Sequence, residues 1–531
     1  MNTIPKTGLW LSAMVICFVA AAVLSLLQQT SVFSLMTIVQ DSYYLHVTWF
    51  SFYQASLSTL ISVVLAIPVA HVCYRRSFPG KGLLLKLFGM TLVLPSLVAV
   101  FGLLAIYGRS GWLAKVFSSL DGTLPFNIYG LGGILLAHVF FNLPYASRLM
   151  LQNLQGIPQD QHKLCAHLGM SYWQKFKWVE WPRLREQIPH IAGLVFMLCF
   201  TSFATVMALG GGPKSTTIEL AIYQAIKYDF DLPTGALLAI WQMLLCSLLY
   251  WGLHSFSRVI PVNNQSGNAG NFGLRMTRTL RIWDGFWLGF VLLLVIPPLV
   301  MVVSSGINQQ LWSVLTRGEY WQALWTSVRV ALGASIFACV VGVGILLTSR
   351  ALRLRQRNVQ ATGIELIGTI ILVTPGLVIS TGLFLLLREQ FDVFSHAYWV
   401  VMLVNALMAL PYVIKTLSQP LLQIQQQYQF LCASLGMKGW QRLMLVEFRA
   451  LKGPIAQAMS LSFLLSLGDL SAVALFGSDD FLTLPLYLYQ LLGSYQMDAA
   501  AVVSFTLLLF SVGVFYLVEM LCQWKSPSRQ C

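Results

Sequence analysis

Few side chains in this sequence stand where they could act on a substrate. The best placed is Asp469, in an apolar segment that begins near Ile455. At a helical rise of about 1.5 Å per residue, it lies roughly two-thirds of the way along a membrane-spanning helix. A carboxylate at that depth is costly and often functional. We therefore predict that Asp469 lines a translocation pathway and attracts a cation; the alternative is a packing contact to a Ser, a Thr or a backbone group.

The sequence shows no catalytic, cofactor or metal site. The nine cysteines include no pair at metal-ligand spacing, and Ser, His and Asp residues form no group typical of nucleophilic catalysis. The phosphate-binding pattern Gly-x-x-x-x-Gly-Lys-Ser/Thr is absent. The run Gly210-Gly211-Gly212 lacks the lysine, and we interpret it as a turn. We expect the chain to be no enzyme and to hold no cofactor.

The composition is that of an integral membrane protein. Hydrophobic residues make up 57% of the chain and charged residues only 10%, whereas soluble domains carry about 25% charged residues. We attribute the net charge of +14 to Lys and Arg in cytoplasmic loops, as is usual in membrane proteins. We expect membrane lipid around the chain and no nucleic acid partner.

Apolar segments of about 20 residues, the length that crosses a membrane as a helix, predict an all-α fold with about twelve transmembrane helices. We expect the fourth and tenth to be broken by Pro144 and Pro411. Most Lys and Arg then fall on one side, so both termini are placed in the cytoplasm. The predicted spans are residues 9–27, 52–72, 87–107, 131–151, 188–209, 236–256, 284–303, 325–348, 364–387, 397–414, 455–476 and 499–521.

One stretch of the sequence occurs twice. Residues 164–182, LCAHLGMSYWQKFKWVEWP, return at 431–449 as LCASLGMKGWQRLMLVEFR without a gap, which indicates an internal duplication. If each half of the chain contains an even number of spans, both halves enter the membrane in the same orientation, as two parallel repeats. We expect a first repeat at residues 1–256, a polar linker at 257–283 and a second repeat at 284–531.

Each copy of the stretch lies in a cytoplasmic loop, residues 152–187 (the first repeated loop) and 418–454 (the second repeated loop). Periodicity predicts a short helix over 160–168, ended by Gly169. A helix with apolar side chains outside the bilayer needs a partner, such as a groove on another protein. Packing on the chain's own membrane domain or in the lipid interface is the alternative. A surface present twice favours a two-fold partner.

The repeated loops resemble the EAA loop of permease subunits in bacterial ATP-binding cassette (ABC) importers. That pattern is Glu-Ala-Ala, three residues, Gly, nine residues and Ile-x-Leu-Pro. Here Gly169 is followed after nine residues by Val179-Glu180-Trp181-Pro182, and Gly436 by Val446-Glu447-Phe448-Arg449. The second copy lacks the proline.

The start of the motif differs from the family pattern, because Lys163-Leu164-Cys165 and Phe430-Leu431-Cys432 replace Glu-Ala-Ala. The resemblance nevertheless implies that these loops couple the chain to an ATPase. The coupling residues that it implies are Cys165, Ala166, Gly169, Val179 and Pro182 in the first loop, and Cys432, Ala433, Gly436 and Val446 in the second.

Three further stretches, residues 196–206, 210–231 and 465–495, resemble the fused two-half permeases of the ferric-iron and thiamine importer family, and more closely those for thiamine or thiamine pyrophosphate. The resemblance implies an ABC importer type I permease fold in the bacterial inner membrane. It also implies two copies of an ATP-binding cassette subunit, which bind the ATP. A periplasmic binding protein would deliver the substrate, which alternating access would move to the cytoplasm.

Three other functions remain open at this point. A ferric-iron permease shares the same architecture, and an ion-coupled secondary transporter with 6+6 parallel repeats shares the span count. Such a transporter normally carries more ionisable residues within the membrane than this sequence does. A polytopic membrane enzyme would need a cluster of His, Asp or Glu at one membrane face.

Overall fold

The computed structural model describes residues 7–30, 35–91, 93–120, 126–256, 277–388, 395–437, 439–478 and 480–523. Within these ranges every regular element is a helix, which confirms the all-α fold. The helices of the first half are α1 Thr7–Gln29, α2 Leu35–Gln40, α3 Ser42–Arg75, α4 Lys81–Met90, α5 Ser96–Tyr107, α6 Trp112–Ser118, α7 Leu131–Gln155, α8 Gln159–His167, α9 Tyr172–Lys175, α10 Trp181–Phe200, α11 Phe203–Leu209, α12 Ile218–Lys227 and α13 Leu232–Phe256.

The second half contains the same kinds of element. Its helices are α14 Arg278–Gly306, α15 Leu311–Leu315, α16 Gly318–Leu354, α17 Asn358–Ile367, α18 Gly376–Arg388, α19 Ala397–Ser434, α20 Gly439–Arg442, α21 Phe448–Leu467, α22 Ser471–Phe476, α23 Leu484–Gly493 and α24 Met497–Gln523. Two π-helical turns, Phe176–Glu180 and Leu443–Glu447, and two 3-10 turns, Pro213–Ser215 and Ile370–Leu372, complete the described structure.

Ten of the described helices are long and apolar enough to cross a membrane. An eleventh crossing is formed if the segment from Tyr172 to Phe200 and helix α11, which meet at a bend of 53°, count as one span. Helix α18 is a shorter apolar helix of 13 residues. Each predicted span overlaps one of these segments, so the polytopic membrane architecture is confirmed.

Two predicted spans are interrupted before a proline. The span predicted at 87–107 contains a break, and α5 begins directly after Pro95. The span predicted at 364–387 is interrupted in the same way, and α18 begins directly after Pro375. The prediction of continuous helices was wrong here, because proline lacks an N–H and pushes the residue before it out of the helical conformation.

The predicted breaks at Pro144 and Pro411 were also wrong, in the opposite direction. Helix α7 continues through Pro144, and α19 continues through Pro411. Both prolines are buried in the helix bundle. In a membrane protein the neighbouring helices can satisfy the backbone groups that such a proline leaves free, so the helix need not end.

The structure describes only the end of the predicted linker at 257–283. Residues 257–276 lie outside the described residues, as do residues 1–6 and 524–531 at the termini. Helix α14 begins at Arg278, so the seventh span starts earlier than predicted and takes in the last part of the linker.

The first helix of each half packs against the other half of the chain. Helix α1 lies against α18, where the Ser25 hydroxyl donates to the Gly382 carbonyl at 2.6 Å, and α14 lies against α5. A Cβ on Gly382 would lie 2.3 Å from the carbonyl oxygen of Ala22, and one on Gly102 would lie 2.5 Å from that of Pro298. These two contacts therefore depend on glycine, and they join the halves into one bundle.

Substitution of Gly382 or Gly102 by Ala is expected to destabilise the protein by about 1–3 kcal/mol each, because a backbone carbonyl cannot move aside as a flexible side chain can. The thermal unfolding midpoint in detergent should fall by several degrees. Gly363→Ala is the matched control, since nothing lies within 4 Å of its added Cβ and alanine favours a helix. Equal midpoints for Gly382→Ala and the control would contradict the account.

Candidate functional site

The first repeated loop is a helix, a tight turn and a second helical segment. Helix α8 ends where Met170 N–H donates to the Cys165 carbonyl at 3.1 Å and Gly169 N–H to the Ala166 carbonyl at 3.1 Å. Gly169 has a φ of +62°, the left-handed conformation that glycine adopts without strain. The loop thus has the short helix and glycine stop that periodicity predicts at 160–168.

A capping box starts the segment that follows. The side chain of Ser171 accepts a hydrogen bond from Gln174 N–H, and the Gln174 side chain accepts one from Ser171 N–H at 2.8 Å. This pairing satisfies two free backbone donors at the helix start. Helix α9, a π turn and α10 then continue without interruption from Tyr172 to Phe200.

The second repeated loop is entered differently. Helix α19 continues from Ala397 to Ser434 without a break, so the first part of the predicted loop 418–454 is the end of this helix. The glycine turn is nevertheless the same, because Gly436 has a φ of +65° and Met437 N–H donates to the Cys432 carbonyl at 2.9 Å.

The first repeated loop carries an exposed apolar surface beside a cleft of about 450 Å³. Leu168 and Trp178 are 63% and 65% exposed, and Leu164 is exposed beside them; we call these three residues the first apolar face. The cleft brings together three of the predicted coupling residues, Cys165, Val179 and Pro182. Its full lining is Gln161, Leu164, Cys165, Leu168, Met170, Trp178, Val179, Pro182, Arg183 and Glu186.

The second repeated loop exposes the corresponding residues. Leu435 and Leu445 are 66% and 58% exposed, and Leu431 is 52% exposed; we call these three residues the second apolar face. Large exposed apolar side chains that recur at matching positions indicate a surface that another molecule covers.

The other predicted coupling residues take different positions. Ala166 is exposed outside the cleft, and Gly169 and Gly436 occupy the turns. Cys432 is buried and Val446 is partly buried. Ala433 lies in α19.

The carboxylates of Glu180 and Glu447 are functional candidates that the sequence did not single out. They are only 4% and 2% exposed, and each ends a π-helical turn. Glu180 pairs with His71 and Lys175, and Glu447 pairs with Arg350 and Arg442. The signal was available, because the same acid stands at the same place in both copies of an apolar stretch.

A second contact fixes α8 to the end of α3. The Tyr74 hydroxyl lies 2.8 Å from Nε2 of His162, and both side chains are buried. Burial and the positive charge of Lys175 lower the pKa of His162, so its imidazole is neutral at pH 7 and can accept the tyrosine hydrogen. The first repeated loop therefore has two attachments to α3.

Asp469 lies at a helix break instead of within a continuous span. Its Oδ1 accepts from the Ser471 hydroxyl at 2.7 Å and from Ser471 N–H at 3.2 Å, and Oδ2 accepts from Ala472 N–H at 3.2 Å. The span predicted at 455–476 is thus two helices, α21 and α22, and Asp469 accepts from two of the free backbone donors at the start of α22. These are the contacts that the packing alternative anticipates.

A second acid is buried near the opposite end of the bundle from the repeated loops. Glu219 on α12 is buried, and it accepts a hydrogen bond from Gln242 Nε2 at 3.0 Å. The sequence did not single out Glu219, because it lies between two predicted spans and outside the apolar segments in which an acid stands out. Among the described residues, no group of three His, Cys, Asp or Glu side chains is arranged to hold a metal ion.

Comparison with known proteins assigns this architecture to a family. The family profile described as "Binding-protein-dependent transport system inner membrane component" matches residues 62–259 and 340–524. The "Thiamine transport system permease protein ThiP" of Escherichia coli strain K12 is 48% identical over 97% of this chain and 96% of that protein. Two proteins of the same name from other bacteria are also similar to this chain over most of its length. They come from Haemophilus influenzae strain Rd (41% identical, 88% of this chain and 87% of that protein) and Brucella abortus strain 2308 (39%, 87% and 84%).

Two profile matches in one chain agree with two fused halves, and the similarity to the Escherichia coli protein extends over nearly the full length of both sequences. The chain belongs to the family of inner membrane components of binding-protein-dependent transport systems.

Proposed function

We propose that this chain is the permease subunit of an ATP-driven importer that moves thiamine or thiamine phosphates from the periplasm to the cytoplasm. The observation that carries the mechanism is the pair of apolar faces on the two repeated loops, which suits a two-fold partner. The substrate rests on the relatives, since proteins named for thiamine transport are 39–48% identical over most of the chain. A ferric-iron permease or an ion-coupled transporter is not favoured.

The proposed partner on the loops is an ATP-binding cassette subunit, present in two copies, one on each apolar face. ATP is bound and hydrolysed in those subunits, because this sequence has no phosphate-binding loop. A periplasmic binding protein delivers the substrate at the opposite face. The bundle then alternates between openings to the two sides of the membrane.

The proposed arrangement places both termini and both repeated loops in the cytoplasm, with repeats at residues 1–256 and 284–531. Most Lys and Arg then lie inside, as the charge asymmetry of membrane proteins requires. This orientation puts the two apolar faces where ATP is available.

The residues of the two loops have distinct proposed roles. Cys165, Val179 and Pro182 shape the cleft beside the first apolar face, and Cys432 and Val446 take their place in the second loop. Gly169 and Gly436 set the turn between the two helical segments. Ala166 and Ala433 lie on the helices that present the faces.

The assembly can be tested with the purified subunits. The chain should co-purify with two copies of its ATP-binding subunit, as measured by the mass of the complex in detergent. Binding protein loaded with thiamine should stimulate ATP hydrolysis several-fold, whereas the same protein without thiamine should not. A complex that forms without any response to thiamine-loaded binding protein would contradict the substrate assignment.

Asp469 is proposed to line the translocation pathway and to attract the thiamine cation. Asp469→Asn removes the charge but keeps a side-chain oxygen that can accept from Ser471, so the start of α22 should remain intact. We expect the initial rate of thiamine uptake to fall at least about fivefold, an electrostatic effect of about 1 kcal/mol.

The matched control is Asp498→Asn, an exposed acid at the start of α24. It should leave uptake unchanged. If Asp469→Asn transports thiamine at the normal rate while its complex assembles normally, Asp469 has no role in the pathway and serves only as a helix cap.

A further inference from the structure

Each repeated loop buries one carboxylate, and in both loops it sits at the end of a π-helical turn. Glu180 and Glu447 occupy the same position in the two copies. Burying a carboxylate is costly unless cations surround it. A buried ion pair contributes little net stability compared with apolar packing, so its presence in both halves points to a role in positioning.

The partners of these carboxylates come from two sources, and the two sources correspond in the two halves. One cation belongs to the loop itself: Lys175 Nζ lies 3.3 Å from Glu180 Oε1, and Arg442 Nε lies 2.9 Å from Glu447 Oε1. These two partners also occupy matching positions in the duplicated stretch. Each loop therefore brings part of its own charge compensation.

The other partner belongs to a long helix of the same half. His71 Nε2 donates to Glu180 Oε2 at 2.7 Å from the end of α3, and Arg350 Nη1 lies 3.1 Å from Glu447 Oε2 at the end of α16. Both helices are long enough to cross the membrane. The carboxylate thus joins the loop to one transmembrane helix in each half.

The same short segment also faces outward. Trp178 and Leu445, which belong to the two apolar faces, stand two residues before Glu180 and Glu447. Residues two apart on a helix point in nearly opposite directions. A force that a bound partner exerts on the apolar face is therefore transmitted across one helical turn to the buried ion pair.

The far ends of the two long helices make a second matching contact. Ser51 Oγ on α3 accepts a hydrogen bond from Ile218 N–H at the start of α12, at 3.0 Å. Ser327 Oγ on α16 accepts one from Leu484 N–H at the start of α23, at 2.7 Å. At 1.5 Å per residue, these serines lie about 30–35 Å along the helix from the ion pairs.

We propose that Glu180 and Glu447 are positioning residues that attach each repeated loop to its long helix, and that α3 and α16 transmit movement of the loops to α12 and α23 at the opposite end of the bundle. The proposal rests on the proposed function, because it assumes that an ATP-binding subunit moves the loops. Beyond that function, the proposal names the helices through which movement of the loops reaches the end of the bundle where substrate enters. A coupling path is established only when both ends respond to the same change.

The test uses the complete complex with binding protein in lipid vesicles and compares wild type with Glu180→Gln/Glu447→Gln. Two quantities are measured: thiamine taken up per ATP hydrolysed, and the change in hydrogen exchange of α12 and α23 when ATP binds. We expect the variant to retain the ATP-binding subunits and to hydrolyse ATP. Uptake per ATP should fall at least tenfold, and the exchange response at α12 and α23 should disappear.

Glu319→Gln, an exposed acid at the start of α16, is the control and should behave as wild type. If the double glutamine variant keeps a normal ratio of uptake to ATP and a normal exchange response, the proposal is wrong. Because that variant could fail to assemble, Ser51→Ala/Ser327→Ala gives an independent test. Each change removes the hydroxyl that accepts from α12 or α23, far from the loops; Ser51→Ala also removes the bond that this hydroxyl donates to the Val47 carbonyl within α3. It should abolish the exchange response while ATP-subunit binding stays normal, and an intact response would overturn the path.

The exchange measurement also separates this proposal from the proposed substrate. Wild type that shows an ATP-dependent exchange response but no thiamine uptake would contradict the thiamine assignment and leave the coupling path supported. Wild type that transports thiamine with no ATP-dependent change at α12 or α23 would contradict the coupling path alone.

Discussion

Replacing Leu168 and Leu435 together by Glu is expected to abolish co-purification of the ATP-binding subunit and to reduce ATP-driven uptake more than about 100-fold. Both leucines are mostly exposed, so the chain itself should fold. An interface that covers them would have to bury an unpaired carboxylate, which costs several kcal/mol at each face. The measurement is the amount of ATP-binding subunit retained by the immobilised permease.

Val359→Glu is the matched control, because Val359 is an exposed apolar residue on α17, outside both apolar faces. It should retain the subunit as wild type does. Each single variant, at Leu168 or Leu435, is expected to weaken retention without abolishing it, since one face remains. Normal retention by the double variant would mean that the apolar faces are not the docking surface.

The double substitution Gly169→Val/Gly436→Val is also expected to weaken binding of the ATP-binding subunit strongly. Both glycines have positive φ values, +62° and +65°, and nothing lies within 4 Å of an added Cβ. The penalty is therefore purely conformational, and for a β-branched residue it is about 1–2 kcal/mol or more at each site. The turn should change shape and misalign the two helical segments, so retention of the ATP-binding subunit should fall at least tenfold.

The variant Gly169→Asn/Gly436→Asn tests whether the left-handed backbone conformation matters, and not simply the presence of a side chain. Asparagine tolerates the left-handed conformation better than other residues with a side chain, so this variant should retain most of the subunit. The thermal midpoint of the membrane bundle should be similar for both variants. Normal subunit retention and uptake by the valine variant would exclude a structural role of the two glycines in coupling.

The turns of the repeated loops were predictable because their determinants are local. A glycine after an apolar helical stretch specifies a left-handed helix end by itself. The first repeated loop begins with a helix break and the second does not, and this difference could also have been predicted from local residues. Gly156 and Pro158 separate α7 from α8, whereas Gln423 and Gln425 stand at the matching positions and let α19 continue.

The buried ion pairs could not be predicted in the same way. Glu180 looks like one polar residue in a loop until α3 brings His71 beside it, and Glu447 likewise needs Arg350 from α16. These partners are distant in sequence, and the duplication reveals only that the acid recurs. The burial of this acid depends on how the helices pack, and the sequence pattern of one segment does not predict that packing.

The helix break at Asp469 was missed for a related reason. Hydropathy marks 455–476 as one apolar segment, but Gly468 ends α21 and Asp469 caps the helix that follows. Apolar composition measures the tendency to enter a membrane and does not distinguish a continuous helix from two shorter ones. The break in the helix was therefore not predictable from hydropathy, although the packing alternative anticipated contacts to a Ser and to backbone groups.

Uptake of labelled thiamine by vesicles is the most direct test of the central claim. The vesicles would contain this chain and its ATP-binding subunit, with binding protein outside and ATP enclosed inside. We expect accumulation that requires enclosed ATP and both partners, and that ferric ion does not compete away. Accumulation driven by an ion gradient, with no ATP-binding subunit present, would contradict it.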